Sequence, residues 1–178
     1  MIRQYRFTDK ELKELLKSMV ILVDSREQVN NHILQYFDSK KIPYKIQKLD
    51  VADYSFMLPA NPDLGLIRDL YFDDRVILER KNSLEELSGT FSNRNRFESE
   101  LLRGQDKCFV LMIEEPQGYE KIITHQYKTQ YNEKAFLATL FTFRHRYGID
   151  INFIDKQYSG LFIYYQCYYF LREYLKGN

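Results

Sequence analysis

Three uninterrupted apolar runs constrain what this chain can fold into: Val20-Ile21-Leu22-Val23, Val76-Ile77-Leu78 and Cys108-Phe109-Val110-Leu111-Met112-Ile113. Continuous runs of this length suit strands buried on both faces. Segments with helical signals alternate with them. Thr8-Asp9-Lys10-Glu11 is a capping box opening a short helix through Met19. Residues 30–41 place Ile33, Leu34 and Phe37 on one side. Ser83-Leu84-Glu85-Glu86 is a second capping box, starting a helix that ends near Gly89. A polar loop at 92–95 precedes a helix over 96–103, and residues 132–147 and 159–176 are the last two helices. Alternation predicts strands at 44–49, 54–58 and 149–154, with the second apolar run inside a strand over 75–81. Residues 59–74 read as an extended connection or hairpin arm. Strands alternating with helices in this way imply an α/β sandwich around a mixed sheet.

A length of 178 residues suits one domain able to bury a real core, with residues 1–18 as an N-terminal helical extension. Seven Gly and four Pro are too few for a loop-built or disordered chain. No internal repeat, low-complexity tract or Gly/Ser linker interrupts the pattern. The N-terminus is too polar for a signal peptide and no run reaches membrane-spanning length, so the expected location is cytoplasmic, without a membrane partner. Cys108 and Cys167 lie in apolar stretches without metal-ligand spacing, as buried free thiols do.

Net charge is +1, which does not by itself advertise nucleic acid. The distribution says more. Between Lys121 and Arg146 the single acid is Glu133, against Lys121, Lys128, Lys134, Arg144 and Arg146. That excess suits either contact with phosphates or a solvated face.

The chemistry concentrates at Glu79-Arg80-Lys81, which closes the second apolar run. In a strand Glu79 and Lys81 share one face and Arg80 points away. An earlier acid, Asp53, sits in Asp50-Val51-Ala52-Asp53-Tyr54. Two carboxylates holding a divalent cation, with an ammonium nearby to orient water and neutralise phosphate charge, make a metal-dependent nuclease site. A bare Glu-x-Lys is also a common cross-strand surface pair.

Four co-linear pieces decide between these readings. They are Val20–Val23 running into Asp24-Ser25-Arg26-Glu27, then Asp50-Val51-Ala52-Asp53-Tyr54, then Val76-Ile77-Leu78-Glu79-Arg80-Lys81, then Ser83–Leu87 with Arg96-Phe97-Glu98 beyond. Together they resemble the nuclease domain of the XPF family of structure-specific endonucleases, which carries V-D-x-R-E, G-D-Y and E-R-K-x-x-x-D. The resemblance runs from about Val20 to the C-terminus and is closest to short stand-alone bacterial and phage members. It implies the restriction-endonuclease-like three-layer sandwich of the PD-(D/E)xK superfamily, with a central mixed sheet flanked by helices. Two positions depart from the pattern. Ala52 replaces the family's Gly, and Glu85 replaces its final Asp.

What the resemblance implies is a metal-dependent endonuclease acting on branched, flapped or forked DNA in repair or recombination, in a bacterial or phage-infected cell. Asp53 and Glu79 match the metal-binding pair, for Mg²⁺ or Mn²⁺. Asp24 matches a further acid that binds a second ion or hydrogen-bonds metal-bound water; at a strand end it also suits a turn. Lys81 matches the residue that orients water and stabilises charge on phosphorus. Arg26 and Arg80 match positions that grip the scissile phosphate or brace the acids, and Glu27 stands behind them. Glu85 suits either support of the site or an exposed helix face, and Glu86 the capping box. Arg94 and Arg96 beside the site, with Lys128, Lys134, Arg144 and Arg146, are the candidate DNA contacts. Tyr127 and Tyr131 interleave with Lys128, where they stack on an unpaired base or pack beneath a loop. Neither a helix-hairpin-helix nor a helicase module is expected in the chain. A restriction- or defence-type duplex nuclease on the same core, or a non-catalytic scaffold of this fold, are the alternative functions. In 159–176 the polar residues Gln166, Arg172, Glu173 and Lys176 occupy about a third of the helix circumference, which leaves an apolar arc wide enough to bury against another subunit. The resemblance likewise implies a homodimer through this helix.

Overall fold

The computed structural model describes residues 6–177. The elements fall into two compact units. The first holds α1 (Asp9–Ser18), β1 (Val20–Asp24), α2 (Asn31–Lys40), β2 (Tyr44–Gln47), β3 (Tyr54–Leu58) and β4 (Leu70–Tyr71). From Gly160 onward it also holds α7 (Ser159–Leu175).

Thr8 starts α1 as expected: its side chain accepts from the Glu11 N–H, and Glu11 reaches back to the Thr8 N–H at 2.7 Å. β1 is the hub of this unit. It pairs parallel with β2, Ile21 opposite Tyr44, and antiparallel with β3, Ile21 opposite Phe56. The parallel pair needs a crossover, and α2 supplies it. β4 adds to β3 antiparallel, so the 59–74 segment is a hairpin arm with a 3-10 turn at Pro62–Leu64. The core closes on aromatic rings: Phe56 and Phe72 stack at 4.5 Å, and Phe170 meets both edge-on. Ile163, Cys167, Leu171 and Leu175, each four residues on, form the buried stripe of α7.

The second unit carries β5 (Val76–Lys81) from Ile77 on, α3 (Leu84–Ser92), α4 (Arg94–Arg103), β6 (Cys108–Ile113), α5 (Gly118–Ile123), α6 (Glu133–Tyr147) and β7 (Asp150–Phe153). β6 lies between β5 and β7 and runs parallel to β7, Leu111 opposite Ile151. Phe91, Phe97, Phe136 and Phe143 pack beneath the helices with Ile77 and Leu111. Parallel and antiparallel pairings make the sheet of the first unit mixed, and both units combine strands with helices, the α/β fold expected.

Four sequence expectations need correcting here. α3 runs past Gly89 to Ser92, and the polar loop at 92–95 shrinks to Asn93, which links α3 directly to α4. Arg94 therefore begins a helix, held by Glu98 one turn on at 3.2 Å. α5 was not foreseen, because Pro116-Gln117-Gly118 reads as a turn and the helix is a bare six residues. Gly118 is required for its packing, since a Cβ there would sit 2.0 Å from the Phe153 ring. Cys167 is buried but Cys108, first in its strand, is exposed. Residues 1–5 of the expected N-terminal extension lie outside the described residues, and its helix begins at Asp9. Among the described residues no helix is long and apolar enough to cross a membrane.

Candidate active site

β5 delivers Glu79, Arg80 and Lys81 in consecutive positions, so their side chains leave on alternating faces. Glu79 and Lys81 share one face, Lys81 Nζ donating to Glu79 Oε1 at 2.7 Å. Both are buried, at 9% and 7% exposure. They open on a cleft of about 470 Å³ lined further by Glu86, Thr90, Asn93, Arg96, Phe97 and Glu100. Burial works against the Lys81 charge, but Glu79, then Asp53 and Glu86, outweigh it and hold the ammonium above the usual lysine range. Burial pushes the Glu79 carboxyl up; Lys81 pulls it down, while Glu100 and Glu86 add to the rise. The balance favours the charged form of Lys81 and disfavours that of Glu79.

Asp53 is fixed against the end of β5 at two points. Its N–H donates to the Leu78 carbonyl at 3.0 Å, and its Oδ2 accepts from the Arg80 N–H at 2.8 Å. The residue before it, Ala52, has φ +63°. The turn thus keeps the left-handed conformation that the family's Gly adopts freely, and alanine carries the strain. Ala52→Gly is expected to raise unfolding stability by about 1 kcal/mol, seen as a higher denaturant midpoint at unchanged slope.

Arg80 turns to the opposite face. Its Nε and Nη2 donate to Glu114 Oε1 and Oε2, both at 2.9 Å, and both side chains are almost wholly enclosed. Glu114 Oε1 also accepts from Ser159 Oγ at 2.6 Å, and the Glu114 N–H donates to the Lys81 carbonyl at 2.9 Å. Of the two roles expected for Arg80, a grip on phosphate and a brace, its enclosure on Glu114 suits a brace. The sequence reading missed Glu114 and Ser159. A signal was present for the first: Glu114 follows the run Cys108–Ile113 just as Glu79 follows its own run.

Asp24 and Arg26 belong to the first unit and form a cluster there. The Asp24 carboxylate accepts from the Arg26 N–H at 2.7 Å, from Arg26 Nε at 2.9 Å and from the Leu49 N–H at 3.1 Å. Arg26 Nη2 reaches on to the Leu49 carbonyl. Burial opposes ionisation of Asp24, but the Arg26 and Leu49 bonds outweigh it and lower its pKa. Among the described residues no three His, Cys, Asp or Glu side chains are grouped to hold a metal ion. Glu79 bonds Lys81, and Asp53 acts on the same ammonium through its charge.

The expected DNA contacts separate by environment. Arg96 lines the cleft with its side chain 79% exposed. Arg94 and Arg146 are drawn to Glu98, at 3.2 and 3.1 Å, and Arg94 also lies over the Phe143 ring. Lys128, Lys134 and Arg144 are exposed. The local basic excess is reduced, because Lys121 pairs with Glu115 and His125 with Glu133. Glu85 accepts from the Lys128 N–H at 3.0 Å and holds that loop. Glu86 does more than cap α3: it accepts from the Asn82 N–H and reaches 3.9 Å from Lys81. Tyr127 is buried, donates to the Tyr131 carbonyl and packs on Phe136, so it supports the loop rather than offering a face to a base. Tyr131 meets the same ring.

Two solved structures of XPF from Aeropyrum pernix share this fold. The first, 19% identical, covers 83% of this chain with a TM-score of 0.59. The second, a complex with DNA, is 18% identical and covers 86%, also at 0.59. This chain spans 59% and 66% of the length of those two. No curated protein matches it. The model of the ERCC4 domain matches residues 23–165, from the end of β1 into α7. With most of its length inside that match, the chain belongs to the ERCC4-domain family, that of the XPF-type nuclease domain.

Proposed function

We propose that this chain is a metal-dependent DNA endonuclease that hydrolyses phosphodiester bonds, preferring branched, flapped or forked DNA to plain duplex. The observation that carries the reading is Lys81 bonded to Glu79 at an acid-rich cleft, with Asp53 near enough to act on the ammonium through its charge. The donor set fits the cation: hard carboxylate oxygens, with neither thiolate nor imidazole among the cleft residues. Asp53 and Glu79 would hold Mg²⁺ or Mn²⁺, which when bound makes water more acidic and offsets phosphate charge. Lys81 donates to the oxygen that gains charge as water attacks phosphorus and the P–O bond to the leaving oxygen breaks. Arg96, exposed at the cleft, is placed to meet a phosphate, with Lys128, Lys134 and Arg144 as further backbone contacts. The complex of the Aeropyrum pernix XPF with DNA supports DNA as the substrate class.

Digestion of matched duplex, flap, fork and junction substrates, with Mg²⁺ and with EDTA, tests this. Cutting of flap or fork faster than duplex, lost in EDTA, is expected. Equal cutting of duplex at defined sequences would favour a restriction-type enzyme, and no cutting at all would favour a scaffold.

The same reading includes a homodimer through α7. Its outward side carries Tyr165 and Tyr169, both exposed, in ring contact with each other and with Tyr168. An aromatic face of this kind suits burial against a second copy. Light scattering at micromolar concentration is expected to give twice the mass of one chain; a single-chain mass would remove the dimer.

A further inference from the structure

Resting on the nuclease reading above, we infer that Glu114, with Ser159, is a positioning residue: it clamps the end of β5 so that the Arg80 N–H stays on the Asp53 carboxylate. Glu114 holds the Glu79-Arg80-Lys81 segment twice. Its N–H takes the Lys81 carbonyl at 2.9 Å, and its carboxylate takes the Arg80 guanidinium through two bonds of 2.9 Å. Both grips lie immediately after the Arg80 N–H, which donates to Asp53 Oδ2 at 2.8 Å. Ser159 completes the clamp by donating to Glu114 Oε1 at 2.6 Å, which fixes the rotamer of a carboxylate that is wholly enclosed. The guanidinium thus bonds Glu114, while the Arg80 main chain bonds Asp53. Two bonds parallel to one another fix direction as well as distance, so a lysine at 80 would not substitute. Groups one step behind a ligand commonly set its orientation, and losing one weakens metal affinity by about 10–100-fold.

The test is amide hydrogen exchange along β5 in the wild type, Glu114→Gln and Ser159→Ala, with Mn²⁺ affinity measured on the same samples. Exchange at Arg80 is expected to speed up by about tenfold, the worth of one net hydrogen bond, while Ile77 and Leu78 keep their protection. Mn²⁺ affinity should fall in parallel, less for Ser159→Ala. A uniform loss of protection along β5, or none at Arg80, would overturn the clamp and leave Glu114 a purely structural partner. If Glu114→Gln does not fold, the Ser159→Ala profile decides by the same criterion. A wild type that neither binds Mn²⁺ nor cuts DNA, with Arg80 still selectively loosened in the variants, would sink the nuclease reading and leave the clamp standing.

Discussion

Glu79→Ala is expected to abolish Mg²⁺-dependent cleavage, and Lys81→Ala to lower the turnover rate by about 10²–10³-fold. The two losses differ in kind. Glu79 supplies one of two carboxylates for the cation, so its removal takes away the ligand pair itself. Lys81 supplies a donor whose value rises as charge develops on phosphate, so kcat falls much more than KM rises. Burial sharpens both effects, because an ammonium at the edge of a low-dielectric cleft acts on charge more strongly than one in water. Glu79→Ala also leaves Lys81 with one fewer counter-charge, although Asp53 and Glu86 remain within reach. Glu79→Gln is the companion that keeps shape. Single-turnover rates on a labelled flap substrate, at several substrate concentrations, separate these cases.

Glu114→Ala carries the largest expected loss of stability, about 3–5 kcal/mol, because it strands the Arg80 guanidinium in an enclosed site. The asymmetry is informative. Replacing both partners by apolar residues, Arg80→Met with Glu114→Leu, removes the stranded charge and should recover much of that loss. Stability would then return without the clamp, so activity and metal affinity should stay low in the double variant. Denaturant unfolding of the two variants beside their cleavage rates checks this.

The fold was largely legible because its strands are apolar on both faces, and the three runs at Val20, Val76 and Cys108 do become β1, β5 and β6. Boundaries slipped where local chemistry is weak. Gly89 reads as a helix stop, yet Leu87 and Phe91 on either side are buried and carry the helix through to Ser92. At the site, Glu79 and Lys81 were readable from strand alternation alone. The division of labour among the arginines was not, since it depends on which partner each finds: Asp24 for Arg26, Glu114 for Arg80, Glu98 for Arg94 and Arg146. Glu114 lies 34 residues from Arg80, a separation that no local spacing rule spans. The same holds for Tyr127, whose neighbours in sequence are polar while its ring is packed on Phe136.

The most direct measurement is Mn²⁺ binding, followed by the paramagnetic resonance signal of the free ion, in the wild type, Asp53→Ala and Glu79→Ala. With Asp53 and Glu79 as the ligand pair, the wild type binds and each variant loses that binding while remaining folded. Undiminished binding in both variants, or cleavage by the wild type that persists in EDTA, would contradict the account.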